Sequence, residues 1–84
     1  MREIVWDWSA WKDIERLPTR ARERIMTAID NLALDPAPGG VKMLKGEAHL
    51  LRIRVGSYRV AYSVESSRIV VRGVGDRREI YRNM

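Results

Sequence analysis

Arginines recur at alternate positions in the second half of this 84-residue chain. Arg52 and Arg54 lie two residues apart in the run LLRIRV, and Arg59 and Arg72 follow in two further apolar runs. Because successive side chains of a β-strand point to opposite faces, this spacing would collect the arginines on one surface. Arginine presents a planar, permanently charged fork that suits phosphate groups. We therefore expect an anion-binding surface, with nucleic acid as the leading partner and a membrane surface or an acidic protein as alternatives.

The positive charge belongs to the second half of the chain. Residues 1–40 carry six basic and seven acidic residues, whereas residues 41–84 carry ten basic and four acidic ones. One alternative is an inert basic surface, and another is a guard against aggregation at exposed strands. Like charges facing each other on a sheet are unfavourable by up to about 1 kcal/mol, however, and a merely solvated face has no need of them. An anion-binding role is the better interpretation.

Length and composition predict one small folded domain over residues 1–84, with 45% hydrophobic and 32% charged residues. The chain has no cysteine, which excludes disulfides, thiolate metal sites and thiol nucleophiles. No apolar run approaches the roughly 18 residues of a membrane span, and the first residues lack an apolar signal segment. We expect a cytoplasmic protein that does not enter a membrane.

The first half predicts a strand followed by two helices. Glu3 to Trp8 is rich in β-branched and aromatic residues and predicts a strand. Ser9 is the predicted N-cap of a short helix that Pro18 interrupts. A longer amphipathic helix is predicted to end near Leu34, before a loop rich in proline and glycine. Four arginines of the two helices are interpreted as a solvated face that nearby acidic residues partly neutralise, with contact to ribosomal RNA as the alternative: Arg16, Arg20, Arg22 and Arg24.

The second half predicts three strands joined by two tight turns, preceded by a short edge strand within Val41–Leu44. The three main strands are predicted at Leu50–Val55, Tyr58–Val64 and Ile69–Val74. The predicted fold is α+β: an N-terminal strand, a two-helix hairpin packed on one face of a small antiparallel sheet of about four strands, and a short C-terminal helical tail.

The first turn sets a register that can be checked. If Gly56-Ser57 is a two-residue loop, Arg54 lies opposite Arg59, and Arg52 lies opposite Ala61. The other face of both strands is then apolar, as the floor of a helix-covered sheet should be.

The second turn extends the same two faces. If Ser66-Ser67 is the loop, Arg72 lies opposite Ala61, and Val74 lies opposite Arg59. Four arginines then share one face with no acidic residue on their rows. The predicted core face comprises Leu51, Ile53, Val55, Tyr58, Val60, Tyr62, Val64, Ile69 and Val71.

The sequence lacks the usual components of a hydrolase. It has one histidine, no paired carboxylates on the basic face, no glycine-rich phosphate loop and no metal-ligand spacing. His49 is expected to pack in a loop. Arg77 and Tyr81 lie four residues apart in the tail and can lean toward the arginine face if the tail is helical. Arginines with one phenol suit cleavage of RNA by its own 2′-hydroxyl, since the substrate supplies the nucleophile. We expect no metal and no cofactor.

From Met43 onward, the residues MLKG…LLRIRVGSYRVAYSVE…VVRGVGDRREIY resemble the RelE branch of the RelE/ParE toxins of toxin–antitoxin systems. The strand–helix–helix–sheet order extends the resemblance to nearly the whole chain. The resemblance implies a ribosome-dependent endoribonuclease that cuts mRNA in the ribosomal A site and is neutralised by a cognate antitoxin. The implied partners are therefore the antitoxin, the ribosome and mRNA.

The resemblance also implies roles for individual residues. Arg59 matches the arginine taken to stabilise the transition state, Arg77 matches a second catalytic arginine, and Tyr81 matches a tyrosine that contacts substrate and can act as base. Arg52 and Arg54 match two positions that are lysines in the best-studied branch. Arginine hardly deprotonates, so these two are expected to bind phosphate rather than to move protons.

Four further basic residues are expected to contact RNA, namely Arg72, Lys42, Lys45 and Arg78. Two alternatives remain open at the level of sequence. One is a ParE-type toxin, which inhibits DNA gyrase by binding and has no nuclease site. The other is a non-toxic basic binding module, or a toxin that has lost activity.

Overall fold

The computed structural model describes residues 1–36, the backbone of residues 42–43, and residues 50–76. The elements, in chain order, are β1 (Glu3–Trp6), α1 (Trp8–Glu15), α2 (Thr19–Leu32), β2 (Lys42–Met43), β3 (Leu50–Val55), β4 (Tyr58–Val64) and β5 (Arg68–Asp76). The strands form one sheet in the order β1-β5-β4-β3-β2. The predicted α+β class is confirmed. The predicted C-terminal helical tail lies outside the described residues.

The sheet is mixed, because it contains both antiparallel and parallel strand pairs. The meander β2-β3-β4-β5 is antiparallel throughout, as predicted. The N-terminal strand β1 pairs with the last strand, β5, and runs parallel to it. A parallel pairing needs a long crossover, which the two helices and the meander supply here. β1 therefore brings the start of the chain beside its last described strand.

The core lies between one face of the sheet and the two helices. Its buried members are Ala10, Ile14, Ile25, Ile29, Leu32, Ile53, Val60, Tyr62, Ile69, Val71 and Val74. All nine residues predicted for the core face belong to this cluster or pack against it. The described helices lack the length and apolar character of a membrane span.

α1 is held on the sheet by aromatic and polar contacts. It begins at Trp8 after Asp7, so the prediction of Ser9 as the N-cap is wrong. The ring of Trp11 meets the ring of Trp6 edge to face, with their centroids 5.3 Å apart. A carboxylate oxygen of Asp13 accepts the backbone N–H of Val74 at 3.3 Å. α1 thus covers the part of the β5 edge that extends beyond the end of β1.

The β3–β4 hairpin has the predicted register. Gly56 has a φ of 62°, in the left-handed region that a tight two-residue turn requires and that glycine adopts without strain. Arg54 lies opposite Arg59, and Arg52 lies opposite Ala61. Local turn chemistry therefore determines which side chains of β3 and β4 share a face.

β5 carries a β-bulge that changes the predicted β4–β5 register. From the turn as far as Tyr62 opposite Val71, the pairs are those predicted. Beyond that pair the register shifts by one residue, and Val60 then faces Val74. A bulge of this kind places two residues of one strand against one of its partner.

Two predicted pairs are wrong because of the bulge. Gly75, not Val74, lies opposite Arg59, and Gly73, not Arg72, lies opposite Ala61. Without the extra residue, the glycines would face the helices and Val74 would face away from them. The bulge buries Val74 to 3% exposure, and burial of a valine stabilises a fold by about 1.5 kcal/mol or more.

The bulge predicts that Val74 contributes core stability. Val74→Ala is expected to lower the free energy of unfolding by about 2 kcal/mol in urea titration, because it removes buried methyl groups and leaves a cavity. The matched control is Val5→Ala, since Val5 is only half-buried and alternates with the core-packed Ile4 and Trp6. Equal and small losses in both variants would contradict the bulged register.

Candidate functional site

The face of β3 and β4 that points away from the helices carries three arginines. Arg54 and Arg59 are direct cross-strand partners, and Arg52 is two residues from Arg54 on the same face. Nε of Arg54 donates to the carbonyl oxygen of Gly56 at 3.3 Å, and Nη1 of Arg59 donates to that of Tyr58 at 3.4 Å. We call Arg52, Arg54 and Arg59 the arginine face.

The row of β5 beside the arginine face is made of small residues. Gly75 lies opposite Arg59, and Gly73 lies opposite Ala61, which is itself fully buried. With no side chain on either glycine, this row rises less above the sheet than neighbouring strands do. This row is nevertheless buried, since Gly73, Gly75 and Ala61 expose little or no surface.

Arg72 has an acidic partner on the chain segment that follows β1. Its Nη1 lies 3.2 and 3.3 Å from the two carboxylate oxygens of Asp7, and its Nε donates to the hydroxyl of Ser63 at 3.0 Å. The expectation that no acidic residue stands on the arginine rows is therefore wrong for Arg72. The cause is the parallel β1–β5 pairing, which carries the chain from Trp6 to Asp7 beside the bulge. This ion pair offsets the charge that Arg72 would offer to an anion.

A second ion pair lies at the far end of the same strand. Arg68 donates to the carboxylate of Glu65 across the β4–β5 turn. Both arginines of β5, Arg68 at its start and Arg72 at its middle, thus have carboxylate partners that offset their charges.

Several predicted site residues are described in part or not at all. Lys42 lies opposite Arg52 in the β2–β3 register, which puts it at the edge of the arginine face. Four predicted residues lie outside the described residues, as does His49: Lys45, Arg77, Arg78 and Tyr81.

The two described tyrosines belong to the core side of the sheet. Tyr62 is fully buried, and its hydroxyl donates to the carbonyl oxygen of Pro36 at 2.7 Å. Burial, with a smaller contribution from Asp35, raises the pKa of Tyr62 to about 12. Tyr58 packs against the core as well. Both phenols therefore lie on the face of the sheet opposite the arginine face, away from a phosphate bound there.

The arrangement suits stabilisation of charge on a phosphate. Arg54 and Arg59 present two guanidinium groups in direct cross-strand register, and guanidinium groups form strong, charge-assisted hydrogen bonds to phosphate oxygens. Residues 1–36 and 50–76 contain no group of three or more acidic or histidine side chains arranged to hold a metal ion. The described arginines can therefore bind and polarise a phosphate.

Sequence reasoning missed Asp7, Gly73 and Gly75 as members of this surface. The glycines had a signal, because two glycines within a strand are typical of a bulge or of close backbone approach. Asp7 had none, because its position depends on a pairing between strands more than 60 residues apart in the chain.

Residues 4–81 match the family of the ParE toxin of type II toxin–antitoxin systems, parDE. Among curated proteins, toxin RelE3 of Methanocaldococcus jannaschii is 34% identical over 74 residues, which cover 83% of this chain and 84% of the relative. Putative toxin RelE1 of the same organism is 31% identical over 77 residues, covering 86% of each chain.

Solved structures agree with these matches. The toxin in the RelB–RelE antitoxin–toxin complex from Methanococcus jannaschii is 28% identical, with a TM-score of 0.75 over 93% of this chain and 95% of that one. The RelE–RelB complex from Pyrococcus horikoshii OT3 gives 27% identity and a TM-score of 0.78 over 92% and 96%. Free Escherichia coli RelE, in a double-mutant form 23% identical to this chain, shares the fold with a TM-score of 0.82 over 98% and 92%. The chain therefore belongs to the RelE/ParE toxins of type II toxin–antitoxin systems, and within them to the RelE branch.

Proposed function

We propose that this chain is a ribosome-dependent endoribonuclease that cleaves mRNA in the A site and is silenced by a cognate antitoxin. The observation that carries the proposal is the direct register of Arg54 with Arg59, with Arg52 beside them on the same face. Guanidinium groups collected on one face can donate charge-assisted hydrogen bonds to a phosphodiester and stabilise the charge that develops on it.

In the proposed reaction the 2′-oxygen of the message attacks the adjacent phosphorus. The new O2′–P bond forms as the P–O5′ bond breaks, which leaves a 2′,3′-cyclic phosphate and a 5′-hydroxyl. One proton leaves the 2′-hydroxyl, and one is delivered to the departing O5′. Negative charge accumulates on the non-bridging oxygens as the bond order changes, and that is the charge an arginine can stabilise.

Roles follow from the side-chain chemistry and from the family resemblance. Arg59 and Arg77 are assigned to stabilise the transition state, and Arg52 and Arg54 to bind RNA phosphate and stabilise its charge. Neither Arg52 nor Arg54 can serve as base, because a guanidinium does not release its proton in a protein. Proton removal is assigned to Tyr81, whose ionised form nearby arginines would favour. The group that protonates O5′ has no assignment.

The arginine face extends into the proposed RNA-binding surface. Lys42, Lys45 and Arg78 are assigned to RNA backbone. Arg72 is the weakest member, because Asp7 holds its guanidinium and offsets its charge. Its proposed contribution is to stabilise the β5 bulge, which places Gly75 opposite Arg59.

The proposed antitoxin partner is supported by relatives crystallised with RelB and by an apolar surface on α1. Trp8 is 73% exposed and Trp11 is 41% exposed. Large exposed aromatic residues are unfavourable in water and are enriched at protein interfaces. Nζ of Lys12 lies 5.3 Å from the centre of the Trp8 ring, which adds a cation to this surface. We propose that part of the antitoxin covers Trp8 and Trp11.

A second candidate is inhibition of DNA gyrase without nuclease activity. The match of residues 4–81 to the ParE toxin description favours it. The arginine face favours the nuclease, since a protein that acts only by occupying gyrase does not need charge aimed at a reacting phosphate.

One pair of assays separates the two candidates. The purified chain is added to ribosomes programmed with a defined message, and the message ends are mapped by primer extension. A gyrase supercoiling assay is run in parallel. We expect cuts confined to the A-site codon and normal supercoiling. Intact message together with inhibited gyrase would overturn the proposal.

Two substitutions test the assigned roles. Arg59→Ala and Tyr81→Phe are each expected to slow single-turnover cleavage on the ribosome by on the order of 100-fold or more, because each removes a contribution made in the transition state. The matched control is Arg68→Ala, which removes the same charge at the far end of the sheet, where Glu65 already pairs with it. Cleavage by both variants at the wild-type rate would contradict the mechanism.

A further inference from the structure

Arg24 on α2 reaches across to the turn between β3 and β4. Its Nη1 and Nη2 lie 3.2 and 3.4 Å from the position that a Cβ on Gly56 would occupy. The guanidinium therefore rests against the backbone of the turn, in space that is available because residue 56 is a glycine. The stem of Arg24 lines a small cavity of about 40 Å³ with Ala21, Val55, Ser57 and Tyr58, which positions its head.

Gly56 is contacted by a second guanidinium. Nε of Arg54 donates to the carbonyl oxygen of Gly56, while Arg24 lies against the α-carbon side of the same residue. Arg24 is exposed, and within the described residues it makes no hydrogen bond and no ion pair. Its five N–H donors are therefore available to a ligand. Two like charges at one turn repel each other unless an anion lies between them.

Arg24 shares its side of α2 with Arg20, which lies four residues before it. Glu23 and Asp30 border that side, because Glu23 is three residues from Arg20 and Asp30 is three residues from Thr27. Neither forms an ion pair with Arg24 within the described residues. Arg24 and Arg54 therefore bring two positive charges to the hairpin turn, one from α2 and one from the arginine face.

We propose that Arg24 and Arg54 together bind one phosphate of an RNA backbone at the β3–β4 turn. This inference rests on the proposed function only in taking RNA as the ligand of the arginine face. Both guanidinium groups contact residue 56, Arg54 at its carbonyl oxygen and Arg24 on its α-carbon side, and each keeps N–H donors for phosphate oxygens. The phosphate they share is a neighbour of the reacting one, which Arg59 contacts in the proposed function, so Arg24 is a binding residue away from the reacting bond.

The test is a double-substitution cycle with a probe that is not cleaved. Binding of the full chain to a short, fluorescently labelled single-stranded RNA carrying 2′-O-methyl groups is measured by anisotropy over a range of salt. Arg24→Gln and Arg54→Gln are each expected to weaken binding about 5-fold and to reduce the salt-dependence slope by about 0.7, which is the contribution of one phosphate contact on a single strand. The double variant is expected to lose less than the product of the two single losses, since both residues hold one phosphate.

Arg22→Gln is the matched control. This substitution removes the same charge from the same helix. Arg22 lies two positions from Arg24 on the opposite side of the helix, and among the described residues it hydrogen-bonds only to the hydroxyl of Thr19. We expect wild-type affinity and salt slope for it, and unchanged thermal melts for every variant. Wild-type binding by Arg24→Gln, or losses that multiply fully in the double variant, would overturn the inference.

Binding measurements on ribosomes identify which RNA supplies the phosphate. Binding of Arg24→Gln to vacant and to mRNA-programmed ribosomes is compared with that of the wild type. A loss on vacant ribosomes assigns the phosphate to ribosomal RNA, and a loss only on programmed ribosomes assigns it to the message. The two proposals fail separately. If the binding losses on the oligonucleotide are coupled but no A-site cleavage occurs, the proposed function is wrong and this inference stands. If cleavage is normal but Arg24→Gln binds like the wild type, this inference is wrong and the proposed function stands.

Discussion

The left-handed turn at Gly56 fixes how β3 pairs with β4, and both surfaces of the sheet depend on that pairing. A slip of one residue would send every side chain of a strand to the opposite face. With the register in place, Ile53, Val60 and Tyr62 meet the helices, and Arg52, Arg54 and Arg59 share the opposite face. Core formation and the collection of positive charge are thus two results of one backbone constraint. The same glycine leaves room for Arg24, so the turn also joins the sheet to α2.

β5 supports both the packing of the sheet and the distribution of charge over it. The bulge in β5 serves this by turning Val74 into the core while leaving glycines beside Arg59. The pairing of Arg72 with Asp7 and of Arg68 with Glu65 removes repulsion from β5, where the proposed chemistry does not need it. These exposed pairs contribute little to stability individually. Their effect is on the field, which they concentrate on β3 and β4.

Local patterns in the sequence predicted much of this arrangement. Gly56 with Ser57 gave the hairpin register, and alternation then assigned Arg52, Arg54 and Arg59 to one face and the apolar residues to the other. Non-local features were missed: the parallel partner of β1, the Asp7–Arg72 ion pair and the β5 bulge. Each depends on interactions between segments that are distant in the sequence, which periodicity along one strand does not reveal. The bulge, for example, buries Val74 but interrupts the regular hydrogen-bond ladder of the sheet. The roles of Arg77 and Tyr81 come from family resemblance alone.

The central claim is that the arginine face assists attack by the substrate's own 2′-hydroxyl, and the most direct measurement changes the RNA and leaves the protein intact. Ribosomes are programmed with a message that carries a single 2′-deoxynucleotide on the 5′ side of the bond cut in the unmodified message. The account predicts that this one substitution abolishes cleavage at that bond, and that the unmodified message ends in a 2′,3′-cyclic phosphate with a 5′-hydroxyl on the downstream fragment. Undiminished cleavage of the deoxy-substituted message, with a 5′-phosphate on the downstream fragment, would contradict it.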